Sequence, residues 1–383
     1  MGKRILITST DLMMIQFLVP HVINLADNGY EIEIACSNVG GKIEQIKDRL
    51  KNTVKKIHVV KLARNPFTLR NVNGYKEMKQ IINNGGYDII WTNEPVMGVV
   101  TRLTAKFARR RGTIVLYMVH GFHFFTGAPI INWMIYYPVE KIMAKYADII
   151  VTVNHEDYKR AKSMNVKRVE YIHGIGINTD RLLSENNSVD IRKELGISSE
   201  DFLIISVGEL NRNKNQKVII KALAEIKDLK IHYILCGKGD QLEVLKRQVR
   251  VADLDQNVHF LGYRTDVLNI CRQADIYVMP SYREGLPVAS LEAMYCGRPL
   301  LTSNIRGLID VMEDGVSGYM YSPDDYKGFA DGIYKLCGAP ELRKKMGKRN
   351  QEYVKQYCIE ATKKEVLDLI FSLSGGHRNG SSI

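Results

Sequence analysis

No apolar run in this 383-residue chain approaches the ~20 residues that a membrane span needs, and no secretory leader pattern is recognisable. Those two absences argue against an integral membrane protein and set the expectation of a cytoplasmic chain. Cysteine is sparse and unpaired in pattern: Cys36, Cys236, Cys271, Cys296, Cys337 and Cys358 form no C-x-x-C, and most sit in apolar or helical contexts. They read as reduced, buried thiols, and no ligand spacing supports a zinc site. The dinucleotide fingerprint G-x-G-x-x-G is missing after the first strand, and Gly174-x-Gly176 lacks both the third glycine and the following helix. G-x-x-x-x-G-K-[ST] is also missing, which excludes a P-loop phosphotransferase. Asp253-Leu254-Asp255 has a metal-like spacing but lies at a helix end between Ala252 and Gln256, so it reads as surface and no metal is expected.

What is present is an ordinary soluble composition, long enough for two domains. The formal net charge of +12 is unevenly placed: residues 1–175 carry a net +11 and residues 176–383 a net +1. The basic surface belongs to the first half. It fits solubility, or an acidic partner there: anionic lipid headgroups, a polyphosphate substrate or nucleic acid.

Short apolar runs alternate with helical segments along the first half. Strands are expected at 3–8, 30–35, 55–61, 88–92, 113–118, 147–153 and 169–172, with helices at 12–28, 42–51, 70–83, 97–110 and from 156. The alternation predicts a doubly wound parallel α/β sheet, whose ligands sit at the C-terminal strand ends. The turn-rich His173–Asn178 marks a domain boundary, giving domains 1–175 and 176–360. A terminal helix is expected at 361–373, packing back on the first domain, followed by a disordered tail at 374–383. The second half restarts the alternation with strands at 202–207, 230–235, 258–261, 275–280, 299–302 and 318–321. Two such domains in tandem imply a central cleft faced by the strand-end loops of both.

The segment Ser281–Gly297 organises the second half. An apolar run at 275–280 reads as a buried strand. A turn follows with Glu284, Gly285 and Leu286, then a helix with Pro287 in its first turn, Glu292 within it and Gly297 at its end. Gly285 lets backbone approach a ligand, and the free N–H groups of the helix start suit an anion. A nucleotide sugar, with both phosphates and hydroxyls, fits such a turn; an exposed Glu284 and a surface Glu292 are the plain alternative. The other strand ends of this half supply Gly208 and Lys214, then Gly237, Lys238 and Gly239, then Gly262, Tyr263 and Arg264. The result is a glycine-rich rim with cations suited to a diphosphate.

In the first half, the strand at 113–118 runs into Val119-His120-Gly121-Phe122-His123-Phe124-Phe125, which places His120 at the same kind of edge. Residues 128–137 continue the apolar theme. Packing into the core is the favoured reading, and presentation of aromatics to a membrane interface the other.

Glu284-x7-Glu292, with Gly285-Leu286-Pro287 inside it, resembles the E-x7-E motif of retaining glycosyltransferases of family 4, which have the GT-B fold. The resemblance covers nearly the whole chain, including Val207-Gly208-x-Leu210 with Lys214, and Leu261-Gly262. Within the family it is nearest to bacterial capsular and exopolysaccharide transferases, through residues 120–124 and Tyr136-Tyr137-Pro138-Val139-Glu140. The resemblance implies that Glu284 hydrogen-bonds the donor sugar and Glu292 the ribose. Lys214, with the N–H groups of Gly285 and Leu286, holds the diphosphate. Gly208 and Gly237 belong to the same donor rim, Tyr263 and Arg264 lie where the base is recognised, and His120 sits over the transferred sugar. Family members usually carry Arg directly after the first-loop glycine; here Glu209 stands there, so Arg212 is expected to assist Lys214.

The implied activity is a metal-independent, retaining transfer of a hexosyl or N-acetylhexosaminyl group from a UDP-sugar, with attack from the leaving-group face. The implied acceptor is a lipid-linked saccharide of capsule, exopolysaccharide or O-antigen synthesis. It would be met peripherally at the inner face of the cell membrane through the basic first domain, with no nucleic acid partner. A nucleotide-sugar epimerase of the same fold and a non-catalytic nucleotide-sugar-binding protein are the rivals.

Overall fold

The computed structural model describes residues 2–179, 189–226, 230–373 and 375. Apart from residue 375, the expected disordered tail lies outside these residues. The chain divides into two compact units: Met1–Gly176 together with Ile359–Ile383, and Ile177–Cys358. The terminal helix thus belongs to the first unit although it follows the second in sequence.

Unit 1 is built on seven strands in the order β3-β2-β1-β4-β5-β6-β7. They are β1 (Arg4–Ser9), β2 (Glu31–Cys36), β3 (Lys56–Val59), β4 (Ile89–Asn93), β5 (Ile114–Val119), β6 (Ile149–Thr152) and β7 (Arg168–Tyr171). Every pairing is parallel. Parallel neighbours need crossover helices, which cover both faces, so the central strands are apolar on both sides. Ile5, Leu6 and Ile7 of β1 and all of β4 are buried accordingly. The strand order reverses between β1 and β4, so the loops after these two strands diverge there and leave a crevice. The helix expected at 97–110 starts earlier and is split: Pro95–Thr104, with Pro95 in the first turn, then Lys106–Arg110. The terminal helix Ile359–Leu373 packs on the helix Leu12–Asp27, where Asn24 Nδ2 donates to the Lys363 carbonyl at 3.2 Å. Glu365 of the same helix accepts from the His173 backbone N–H at 2.9 Å.

The helix Ile130–Ala144 departs from the expected core packing of residues 128–137. Trp133, Tyr136 and Tyr137 do pack against the Phe122 and Phe124 cluster. Ile130, Ile131, Met134 and Ile142 are instead exposed, Ile130 at 75 % and Met134 at 68 %. Positions 130, 134 and 142, with 131 and 135, lie on one helical stripe, so the apolar residues were shared between two faces rather than spent on one.

Unit 2 has six parallel strands in the order β10-β9-β8-β11-β12-β13: β8 (Phe202–Val207), β9 (Ile231–Cys236), β10 (Val258–Gly262), β11 (Ile276–Met279), β12 (Leu300–Ser303) and β13 (Gly318–Tyr321). Its reversal lies between β8 and β11, which pair through Ile204 with Ile276 and Ile205 with Tyr277. Both units are therefore doubly wound Rossmann-like sheets, and in each the first and fourth strands flank the switch point.

Candidate active site

At the unit 2 switch point the loops after β8 and β11 are stitched together. Tyr282 N donates to the Asn213 carbonyl at 2.8 Å, and Asn213 Nδ2 donates to the Arg283 carbonyl at 3.0 Å. Asn215, with φ +53° and 2 % exposed, sends Nδ2 to the carbonyls of Pro280 at 3.0 Å and Pro323 at 2.8 Å. Asparagine tolerates this left-handed conformation better than most residues, and its amide satisfies two buried carbonyls. The consequence is that Lys214 Nζ meets Glu284 Oε1 at 2.8 Å, with both side chains mostly shielded. The two residues given separate jobs in the sequence are direct partners.

The glycine rim has a steric cause. Gly237 has φ +158°, and a Cβ there would lie 1.8 Å from the Gly208 carbonyl oxygen. Gly237 N donates to the Gly262 carbonyl at 2.7 Å and Gly208 N to that of Cys236 at 3.0 Å. The ends of β8, β9 and β10 thus touch backbone to backbone. Lys214 runs across Gly208, where a Cβ would make only ordinary contact, 3.5 Å from Lys214 Cε; the φ of +152° is what favours glycine there.

Beyond Glu284, the helix Val288–Tyr295 carries Glu292 partly buried, and Leu286 packs against the core. Pro287 is the residue preceding this helix rather than part of its first turn. Arg306, 5 % exposed on the loop after β12, donates Nε to the Glu284 carbonyl at 3.2 Å. It was missed in the sequence, although its place at a strand end was a usable signal. Arg212 lines a different cavity of about 560 Å3 with Asn213, Lys217, Gln241 and Tyr282; neither Lys214 nor Glu284 lines it. Tyr263 is exposed. The Arg264 guanidinium pairs with Asp266 at 2.7 Å and Glu194 at 3.1 Å, and the hydrogen bond to Asp266 is the main cause of its raised pKa.

In unit 1, His120 lies at the end of β5 and contacts Asn93 Oδ1 through Nε2 at 3.0 Å, while Asn93 Nδ2 donates to the Thr8 carbonyl at 3.2 Å. That amide orientation makes Oδ1 the acceptor, so His120 carries its proton on Nε2 and offers Nδ1 as an acceptor. Burial lowers its pKa to about 4, so the ring is neutral at pH 7. The next residue, Glu94, stands at the end of β4 with φ +64° and ψ +157°, a region rarely open to side-chain-bearing residues. Its Oε2 accepts from Ser9 Oγ at 2.5 Å and from Asp11 N at 2.9 Å, across the switch point. Burial raises the Glu94 pKa against these hydrogen bonds.

The sequence matches two glycosyltransferase families in succession: Glycosyltransferase Family 4 over residues 21–181 and Glycosyl transferases group 1 over residues 187–353. EpsD of Bacillus subtilis (strain 168) is 34 % identical over 376 residues, covering 96 % of each chain. The Escherichia coli UDP-Gal:alpha-D-GlcNAc-diphosphoundecaprenol alpha-1,3-galactosyltransferase is 24 % identical over 321 residues, covering 82 % of this chain and 81 % of its own. Among solved structures, Anabaena Alr3699/HepE in complex with UDP and glucose superposes with a TM-score of 0.79 at 18 % identity, over 97 % of this chain and all of that one. The chain belongs to the family 4 glycosyltransferases of GT-B fold, and it is a glycosyltransferase.

Proposed function

We propose that the protein moves a sugar from a UDP-sugar, with retention of configuration, onto a lipid-linked saccharide in the assembly of an envelope polysaccharide. The observation that carries this reading is the Lys214–Glu284 pair at the switch point of unit 2. One ammonium and one carboxylate sit side by side at the edge where a parallel sheet binds ligands. An entering diphosphate takes over the ammonium, and the released carboxylate accepts hydrogen bonds from the sugar hydroxyls. Glu292 is assigned to the ribose. As the glycosidic bond breaks, charge grows on the departing diphosphate. Lys214 and the backbone N–H groups of Gly285 and Leu286 stabilise it without reorganising. We assign the charge compensation to these groups and not to a metal. The sugar hydroxyls stay fixed on Glu284 while the acceptor hydroxyl attacks from the leaving-group face and passes its proton to the phosphate. His120, neutral and with Nδ1 free to accept, is assigned to the transferred sugar.

The lipid-linked acceptor is supported by the E. coli relative, whose name specifies a diphosphoundecaprenol substrate, and by the Campylobacter jejuni N,N'-diacetylbacillosaminyl-diphospho-undecaprenol alpha-1,3-N-acetylgalactosaminyltransferase, 23 % identical over 337 residues. No described helix is long and apolar enough to cross a membrane. We assign attachment at the inner membrane face to the exposed isoleucine and methionine stripe of helix Ile130–Ala144 and to the exposed cations Arg110 and Arg111. The test is a donor screen by mass spectrometry with membrane extract as acceptor, run with and without a chelator. A UDP-sugar consumed only when extract is present, at equal rate with chelator, supports the reading. Conversion without acceptor indicates an epimerase, and binding without any conversion indicates a binding protein.

A further inference from the structure

The loop after β12 meets the Glu284 turn from its carbonyl side. Arg306, buried on that loop, donates Nε to the Glu284 carbonyl at 3.2 Å. At the next residue, Gly307, a Cβ would lie 2.6 Å from the Gly285 carbonyl oxygen and 3.2 Å from that of Glu284. The two oxygens therefore converge on one place, against the backbone of this loop. In a trans peptide the C=O and the N–H of one unit point in opposite directions. Holding the Glu284 carbonyl toward Arg306 aims the Gly285 N–H away from the loop. The Gly285 carbonyl, set against Gly307, does the same for the Leu286 N–H. Successive N–H groups turned to one side make an anion-binding concavity. Leu286 N–H has no hydrogen-bond partner among the described residues. The loop behind the turn is itself fixed: Asn304 N donates to the Tyr321 carbonyl at 2.7 Å, Ile305 N to that of Ser303 at 3.0 Å, and Gly307 N to Asp310 Oδ2 at 3.0 Å. A guanidinium on a carbonyl also polarises the peptide, so the N–H at its far end becomes a stronger donor.

We infer that Arg306 is a positioning residue of the transfer reaction: it locks the Glu284–Gly285 peptide so that the N–H groups of Gly285 and Leu286 face the donor diphosphate, and its charge acts on that diphosphate through the peptide. The inference rests on the donor reading above, in which those two N–H groups hold the diphosphate, and adds what holds them. No contact between Arg306 and the ligand is needed. Arg212 lines a different cavity, whereas Arg306 brings a second positive charge to the turn that Lys214 already meets. Because that charge is fixed before the glycosidic bond breaks, it compensates the departing diphosphate without reorganising.

The test titrates the full chain with UDP and with uridine, and the ratio of the two affinities isolates what the diphosphate gains. Arg306→Gln places its amide nitrogen as far along the side chain as Nε, so the hydrogen bond to the Glu284 carbonyl survives and the charge is lost. Arg306→Met removes both. The ratio should fall about threefold in Arg306→Gln and about tenfold or more in Arg306→Met, the scale of a hydrogen bond to a charged group, while uridine affinity stays within about twofold of wild type. Arg306→Lys, which restores a charge and a donor, should recover most of the ratio. An unchanged ratio in Arg306→Met overturns the inference. So does an equal loss of UDP and uridine affinity in Arg306→Met and Arg306→Gln, which would make Arg306 a packing residue of unit 2. If Arg306→Met does not fold, Arg306→Gln decides, and a wild-type ratio there overturns the inference. A wild type that binds UDP no more tightly than uridine removes the donor reading itself. A wild type that gains from the diphosphate, with that gain kept in Arg306→Met, removes this inference alone.

Discussion

Lys214 Nζ and Glu284 Oε1 lie 2.8 Å apart, bridging the two loops that diverge at the switch point of unit 2. Each neutralises the other until a ligand separates them, so their substitutions should act in opposite directions on nucleotide binding. Glu284→Gln keeps the shape but releases Lys214 from a charged partner. UDP binding should be unchanged or a few-fold tighter, while transfer falls by ~10²-fold or more, the scale of losing one fixed transition-state contact. Lys214→Met leaves the Glu284 carboxylate facing the diphosphate uncompensated, so UDP should bind at least tenfold more weakly. Calorimetric titration with UDP, alongside a transfer assay, separates the two. Equal weakening of UDP in both variants would show that the pair is only structural.

A second pair has a structural role. Arg102, fully buried, places its guanidinium 3.9 Å from the Tyr117 ring centroid and 2.8 Å from Glu140, which also accepts from Tyr117 OH at 3.1 Å. Glu140 belongs to the Tyr136–Glu140 segment that carried part of the family resemblance. Removing one partner of a buried ion pair costs about 3–5 kcal/mol, since the other charge stays desolvated. Arg102→Met should lower stability by that amount, and Arg102→Met with Glu140→Gln should recover more than half of it. Both tryptophans, Trp91 and Trp133, lie in unit 1, so urea unfolding followed by their fluorescence reads this unit selectively. Additive losses in the double variant would rule out the coupling.

The alternation of strands and helices was legible because parallel strands are buried on both faces and must be written as short apolar runs. Glu284 and its glycine were legible because a turn between such a run and a helix has a local signature. The contact of Glu284 with Lys214 was not, because β8 and β11 are adjacent in the sheet but 70 residues separate the partners in the chain. The same holds for Arg306 and for Ser9 with Glu94. Hydrophobicity in residues 128–137 was visible, but not its division between a packed aromatic side and an exposed isoleucine side, since neighbouring positions alternate between the two. The terminal helix buries Ile359, Thr362, Val366 and Ile370 at helical spacing, so its packed face was legible, whereas the element it meets, the helix Leu12–Asp27 more than 300 residues earlier, was not.

Stability should fall in mild acid for an identifiable reason. His21 is fully buried in the helix Leu12–Asp27 and contacts the Ile175 carbonyl through Nε2 at 2.9 Å. Burial lowers its pKa from 6.5 to about 4. Its contribution is complete above pH 6.5, where both states are neutral. Between pH 6.5 and 4 the unfolded chain binds a proton that the folded chain refuses, so stability declines as pH falls. Below about pH 4 the loss levels off, having reached about 3 kcal/mol. In His21→Gln the unit 1 transition should lose that part of its pH dependence, whatever its absolute stability. An unchanged slope between pH 6.5 and 4 would assign the acid sensitivity to other groups.

Membrane attachment, as proposed, combines charge with apolar insertion, and the structure selects the residues that separate the two. Arg109 is unsuitable for charge reversal because it grips Asp148 through Nε at 2.9 Å and Nη2 at 2.7 Å, so changing it would damage the fold. Arg110 and Arg111 are exposed and avoid that problem. A cation near an anionic surface contributes about 1 kcal/mol, so Arg110→Glu with Arg111→Glu should weaken binding to phosphatidylglycerol-rich vesicles by about thirtyfold or more. Raising salt to ~1 M, where the Debye length is ~3 Å, should release the wild type substantially. Met134→Glu on the exposed stripe should weaken binding to neutral and anionic vesicles alike, with little dependence on salt. Vesicle flotation measures all three. Attachment that ignores both salt and Met134→Glu would mean that neither the Arg110–Arg111 cations nor the apolar face of helix Ile130–Ala144 meets the lipid.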